Sequence, residues 1–301
     1  MSTTSLAMGR DQATWLSRIA DYVELSKPRI AVLVLVVVAV AYHVARWGQP
    51  EPWVLVHLLL GTLLVAASAS GANQFLERHS DSLMERTAER PIASGRIGVS
   101  EALVFVSATL VIGAGYLFVA VGWQPAIWAF LTWLVYVAVY TPLKSRTWLN
   151  TAVGAVGGAL PILIGWSAGG GYDLRAGGLF VLLFLWQFPH FMAIAWLYRK
   201  QYARAGMKML PVVDPSGRHA GVQAVVAALA LIPVSLIPML NVPGWSIGLL
   251  AIAAILLGVG QLFCAVAFFR HQHDRSARQL LRASLIYLPL VLLLMLLVPW
   301  L

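Results

Sequence analysis

The chain is poor in charge and nearly free of cysteine. Only 11% of its 301 residues are Asp, Glu, Lys or Arg, and 60% are hydrophobic; a soluble domain carries about 25% charged residues and about 45–50% apolar ones. A surface facing water could not be covered by so few charges. This excludes a soluble α/β or all-β domain, a disordered protein and, despite a net charge of +9, a free nucleic-acid binder. The single cysteine, Cys264, excludes a disulfide framework and any Cys-built zinc or iron–sulfur centre. It reads as a small apolar residue inside a helix. Residues 1–28 contain Asp11, Asp21 and Glu24 and no apolar run, so no cleavable signal peptide is expected. Alternation of period two is also missing from the apolar stretches, which speaks against a membrane β-barrel.

What the chain has in quantity is long apolar runs. A membrane helix needs about 20 mostly apolar residues, and nine segments qualify: 30–47, 53–75, 99–121, 124–142, 149–167, 177–198, 221–240, 244–268 and 283–301. In lipid every backbone polar group must be satisfied internally, which leaves helices. The expected fold is all-α, a polytopic bundle of about nine transmembrane helices over 29–301, preceded by a cytoplasmic segment, 1–28. Of the 21 Lys and Arg, all but Arg46 and Arg175 fall on alternate connections together with the N-terminal segment. By the positive-inside rule this places the N-terminus in the cytoplasm and Leu301 on the far side of the membrane. The polar connections are the cytoplasmic ones, so polar chemistry is expected at that face.

One of these connections is acidic. Asn73, Glu77, Asp81, Glu85 and Glu89 recur every four residues. If the second span continues helically, they form one stripe. Three oxygen-bearing side chains on successive turns suit a hard divalent cation, and Mg²⁺ typically takes one or two carboxylates plus phosphate oxygens and water. Arg78, Ser82, Arg86 and Arg90 would form a neighbouring stripe suited to the phosphate oxygens such a metal bridges. Taken as residues alone, the spacing also suits a solvated surface helix of alternating charge. Asn73 and Glu77, however, abut an apolar span, where polar groups are costly and often functional.

The run from Asn73 through Glu77, Asp81, Met84, Arg86, Thr87, Arg90 and Pro91 to Arg96 resembles the first acidic signature of the UbiA superfamily of intramembrane prenyltransferases, and more narrowly that of its haem-farnesylating branch. Leu25-Ser-Lys27-Pro28-Arg29 is similar to the family's motif before the first span. The stretch from Tyr140 through Lys144, Arg146 and Thr147 to Asn150 resembles its connection between spans four and five. Trp186-Gln187-Phe-Pro189-His190-Phe191 and Ala205-Gly206-Met-Lys-Met209-Leu210-Pro211 resemble later blocks. Five blocks in order, from about residue 22 onward, carry the likeness.

The resemblance implies a UbiA-type bundle in the inner (cytoplasmic) membrane. It implies transfer of a farnesyl group from farnesyl diphosphate to a vinyl group of protoheme IX (haem b), giving haem O and diphosphate. Mg²⁺ is the implied cofactor, held by Asn73, Glu77 and Asp81. Arg86, Lys144 and Arg146 are implied in catalysis, and Lys27, Arg29, Arg90, Tyr140, Thr147, Asn150 and His190 in substrate binding. The lipid bilayer is an implied partner, as is a haem A synthase or oxidase-assembly factor. For each cation, positive-inside topology is a competing account, and for Tyr140, Thr147 and Asn150 so is capping or inter-helix hydrogen bonding. His190, alone among apolar neighbours after Pro189, suits either an interhelical partner or a haem ligand. Tyr140, Trp186, Phe188, Phe191 and Trp196 suit an allyl cation or ordinary membrane packing. Gly154, Gly157 and Gly158 suit close helix approach, and Pro161, Pro189 and Pro233 suit kinks.

Many members of the superfamily have a second acidic motif after the sixth span. Here that stretch is Tyr198-Arg-Lys200-Gln201-Tyr202-Ala-Arg204, without a carboxylate; the nearest is Asp214. A single Mg²⁺ held by the first motif, or replacement of a second ion's charge by Lys200 or Arg204, is the expectation. Two other readings stand beside this one: a UbiA-type enzyme acting on an aromatic or quinone precursor, and a membrane transporter. A transporter commonly shows internal repeats and mid-span charges, and neither is apparent here.

Overall fold

The computed structural model describes residues 15–240, 242 and 244–300. Arg10 and Asp11 of the N-terminal segment, and Leu301, lie outside the described residues. Among the described residues nine helices are long and apolar enough to cross a membrane, and the chain is a multi-pass membrane protein. The short helix α1 (Trp15–Leu25) comes first. The spans are α2 (Pro28–Ala45), α3 (Pro52–Asp81), α4 (Val99–Ala120), α5 (Trp123–Leu134) running through a π-helical stretch, Val135–Tyr140, into α6 (Thr141–Leu143), α7 (Asn150–Ala159) with α8 (Pro161–Gly169), and α9 (Leu174–Leu197). After the short α10 (Arg199–Arg204) and α11 (Leu210–Val213) follow α12 (Arg218–Val234), α13 (Trp245–His271) and α14 (Asp274–Leu297).

Proline sets several helix starts: Pro28, Pro52 and Pro161 stand in the first turn of α2, α3 and α8, where the missing N–H costs nothing. Pro161 therefore divides the fifth span in two, whereas Pro189 and Pro233 lie inside α9 and α12. The core gathers where α2, α8, α9 and α14 meet, around Trp166, Leu182, Trp186, Tyr287 and Val291. Outer helices turn apolar side chains outward; on α4, Val111 is 72% exposed and Val119 86%. Such a surface fits lipid and not water. Helix α1 likewise presents Leu16, Ile19 and Val23 on one exposed face, as an interfacial helix does.

The second span is longer than its apolar run. Helix α3 carries on to Asp81, so Asn73, Glu77 and Asp81 do share a helix. The expected stripe stops there. Ser82 caps the helix, and Glu85 and Glu89 lie beyond it, exposed, in the following turns. Arg86 and Arg90 are consequently not on a helical stripe either. The connection folds back on itself: Thr87 Oγ1 donates to the Asp81 carbonyl at 3.0 Å, and Gly95 supplies the left-handed residue (φ 77°) that closes the turn. Arg96 then fastens the connection to α1 through Asp21 and Glu24.

Candidate active site

A cavity of about 420 Å³ opens at the charged end of the bundle between α2, α3, the π-helical stretch, α7 and α9. Its mouth is ionic and its interior apolar. The three ladder residues line it and are themselves buried: Asn73 and Asp81 have no solvent exposure and Glu77 has 6%.

Each ladder residue meets a cation. Lys27 Nζ donates to Asn73 Oδ1 at 2.6 Å. Lys144 Nζ stands 2.7 Å from Glu77 Oε1 as an ion pair. Arg90 Nη1 donates to both oxygens of Asp81 at 2.8 Å and lies 4.0 Å from Glu77 Oε2. Arg86, Arg90 and Lys144 against Glu77 and Asp81 leave the mouth with excess positive charge, to which Lys27 adds when protonated. That suits an incoming polyanion.

Local backbone features aim these groups. Lys27 precedes Pro28 at the start of α2 with a left-handed φ of 49°, a conformation costing a non-glycine residue roughly 1–2 kcal/mol. It is half-buried, and desolvation, followed by the nearby Arg90 and Lys144, pulls its ammonium down to about 7. Lys144 is held the other way: burial opposes its charge, but Tyr140 and Glu77 more than offset that, so it titrates above the usual lysine range. The wide π turn brings Tyr136 and Tyr140 together, ring centroids 5.5 Å apart, both lining the cavity; such turns often mark functional sites. Lys144 Nζ lies 4.6 Å from the centre of the Tyr140 ring. Thr141 follows, accepting from Asn73 Nδ2 at 3.0 Å and donating to the Tyr136 carbonyl at 2.9 Å.

The later connection supplies the facing wall. Arg86 Nη2 donates to the Tyr202 hydroxyl at 3.2 Å, with its guanidinium 4.7 Å from the Tyr198 ring centre. Met84, Met207 and Met209 pack with Tyr202 and line the cavity. Lys200 and Arg204 are exposed and are not among the lining residues; Arg204 lies 3.8 Å from Glu85. Asp214 caps the turn before α12, accepting from Ser216 and His219, and its carboxyl is held well below the usual range, chiefly by the Ser216 hydroxyl.

Of the residues singled out from the sequence, the fold gathers Asn73, Glu77, Asp81, Lys27, Arg86, Arg90, Tyr140, Lys144 and His190 around one cavity. Arg29 and Arg146 are exposed and lie off its lining. Thr147 and Asn150 also lie off it: Asn150 Nδ2 donates to the Thr147 carbonyl at 2.6 Å and to the Lys208 carbonyl at 3.2 Å, tying the Met207–Met209 strand of chain to the connection before α7. Tyr136, Thr141, Tyr202 and the three methionines are lining or supporting residues that sequence reasoning did not single out. The Tyr136–Tyr140 spacing and the Met207–Met209 pair were the available signals.

Among the described residues no three His, Cys, Asp or Glu converge as an all-protein metal cage. The ladder offers two carboxylates and an amide. Glu77 Oε1 is buried without a hydrogen-bond donor, since Lys144 faces it off the bonding line. An oxygen site completed by phosphate oxygens and water fits Mg²⁺, which seldom uses a full protein cage.

The UbiA prenyltransferase family model matches residues 33–299. The chain belongs to the UbiA prenyltransferase family. A protoheme IX farnesyltransferase of Solibacter usitatus is 42% identical over 290 residues, covering 92% of this chain and 98% of that protein. Another, of Koribacter versatilis, is 39% identical over 306 residues, covering 98% and 97%. Among solved structures, a digeranylgeranylglyceryl phosphate synthase superposes with a TM-score of 0.78 at 16% identity, over 94% of this chain and 98% of that one. A UbiA homologue from Archaeoglobus fulgidus bound to GPP and Mg²⁺ gives 0.74 at 17% identity, over 93% and 100%. The UbiA-type bundle expected from the sequence is thus the observed fold.

Proposed function

We propose that this prenyltransferase joins the farnesyl group of farnesyl diphosphate to the terminal vinyl carbon of protoheme IX, and that water then adds to the carbocation left on the porphyrin side chain, releasing diphosphate and a proton and yielding haem O. The carrying observation is the pairing of Asn73, Glu77 and Asp81 with Lys27, Lys144 and Arg90 at the mouth of a cavity whose interior is apolar. The relatives' names support haem as acceptor.

The diphosphate docks at the ionic mouth, where Lys27, Arg86, Arg90 and Lys144 turn from their protein partners toward its oxygens. Asn73, Glu77 and Asp81 would hold Mg²⁺, which when bound neutralises charge on the leaving group. As the allylic C–O bond breaks, its electron pair leaves with the diphosphate, and the four cations at the mouth stabilise that developing charge. The farnesyl chain lies along the apolar lining beside Ile30, Val34 and Ile164. Tyr136 and Tyr140 turn aromatic surface toward the cationic carbon, and the dry lining keeps water from it until the vinyl carbon has bonded. We place the mouth at the cytoplasmic face of the inner membrane, since the basic connections cluster there.

Membranes carrying the chain, supplied with haem b, farnesyl diphosphate and Mg²⁺, are expected to form haem O, and Asp81→Asn membranes are not. Equal yields would overturn the metal assignment. Prenylation of a phenolic acid with no haem product would overturn the haem assignment in favour of a quinone-type acceptor.

A further inference from the structure

Deep in the same cavity stands a histidine whose two ring nitrogens have different fates. His190 sits seven residues before the end of α9, roughly 10 Å into the bundle at a rise of about 1.5 Å per residue. Its Nδ1 is 2.9 Å from Ser284 Oγ on α14. That hydroxyl already donates, at 2.7 Å, to the carbonyl of Leu281, so toward His190 it accepts. The proton therefore sits on Nδ1 and Nε2 keeps its lone pair. Among the described residues Nε2 has no hydrogen-bond partner, and His190 lines the cavity.

The ring is also held in place. It stacks on Trp186 with centroids 4.8 Å apart and planes inclined by 22°, and Trp186 Nε1 donates to the backbone carbonyl of the same Ser284 at 2.8 Å. Phe191 meets it edge-on at 5.6 Å. One helix of the core thus fixes both the tilt and the tautomer of the imidazole. A histidine that only joined α9 to α14 would need Nδ1 alone, and nothing would require an open Nε2 on a cavity wall. Imidazoles that ligate metals commonly donate their other N–H to a fixed partner.

We propose that His190 Nε2 is an axial ligand to the iron of the porphyrin substrate, with Ser284 as its positioning residue. This rests on haem being the acceptor. Ligation at the centre of the macrocycle anchors it by its iron and leaves its edge, where the vinyl groups are, free to meet the farnesyl carbon near the ionic mouth.

The test uses the full chain in detergent, titrated with ferric protoheme IX and, separately, with metal-free protoporphyrin IX. The native protein is expected to bind the iron porphyrin at least ~10-fold more tightly than the metal-free ring, with an imidazole-ligated Soret spectrum. His190→Ala should bring the two affinities together while leaving that for protoporphyrin unchanged, and added imidazole should restore the spectrum in His190→Gly. Ser284→Ala should weaken iron binding by about 10-fold without weakening that of protoporphyrin. Equal native affinity for the two porphyrins, or identical spectra of bound haem in native and His190→Ala proteins, would overturn the ligand assignment while leaving haem as acceptor. Failure of the native chain to bind either porphyrin would instead overturn haem as acceptor, and the ligand with it.

Discussion

Two connections close the charged end of the bundle, one after α3 and one after α9, and they do so with opposite chemistry. The first ends a helix on buried carboxylates and folds Arg90 back onto them. The second offers Tyr202, Met207 and Met209 to the cavity and no carboxylate. Its nearest acid, Asp214, is spent on capping a turn. The difference implies a division of labour. Charge is managed on one side of the mouth, and the other side is a soft, polarisable wall that adapts to a large flat or flexible substrate. On the proposed function, such asymmetry accommodates one metal site completed by the diphosphate.

The comparison is broken most severely by moving the carboxylate. Asp81→Ala should lower turnover by about 100-fold or more, the scale of losing a principal electrostatic group in a closed site. Asp214→Ala should change turnover by less than about twofold, because its effect is on the turn. The cap's contribution to stability follows from the depressed carboxyl: it is fully present above the ordinary carboxylate range near about 4 and is lost only as the pH falls below it. A thermal melt that separated the two Asp214 forms at pH 3 and below less than at pH 7 would agree with this.

Next in size is the cation on Glu77. Lys144→Met removes a charged contact worth about 1.5–3 kcal/mol, and a loss of about 10–100-fold in kcat/KM for farnesyl diphosphate is expected. Haem affinity should be untouched. Smaller again is the bridge between the two connections. Tyr202→Phe frees Arg86 from its hydroxyl partner, a neutral-scale hydrogen bond of about 0.5–1.5 kcal/mol, so kcat/KM should fall by roughly 2–10-fold. A loss as large as that of Lys144→Met would mean that the methionine-lined wall is catalytic rather than supportive.

The nine spans were legible because apolar length and positive-inside charge are properties of the sequence alone. So was the ladder as far as Asp81, since spacing by four on a helix leaving an apolar run fixes a face. The end of that face was not legible. Whether Glu85 continues it depends on where the helix stops, and this is set by Thr87 and Gly95 closing a turn against α1. Arg90 therefore reaches Asp81 by folding back rather than by helical periodicity. The spacing of Tyr136 and Tyr140 is visible in the sequence, but the π turn between them is not, and Ser284 lies 94 positions from the His190 it orients. Pairings of that range belong to helix packing, which a single sequence does not display.

The smallest effect expected separates neighbourhood in sequence from neighbourhood in space. Lys144 and Arg146 share one motif and carry the same charge, yet Lys144 is half-buried and paired with the buried Glu77 while Arg146 is exposed off the lining. An exposed cation acts on a polyanion through solvent, over a screening length of about 10 Å at 0.1 M salt, and steers encounter more than it stabilises the bound state. Arg146→Ala should accordingly raise KM for farnesyl diphosphate by less than about threefold at low salt, leave kcat alone, and have no measurable effect by 0.5 M salt. Lys144→Met should keep its deficit at every salt concentration, because its partner lies where counterions do not reach. A salt-independent loss in Arg146→Ala comparable to that of Lys144→Met would require Arg146 to turn into the cavity when substrate binds, and the mouth would then have five cations rather than four.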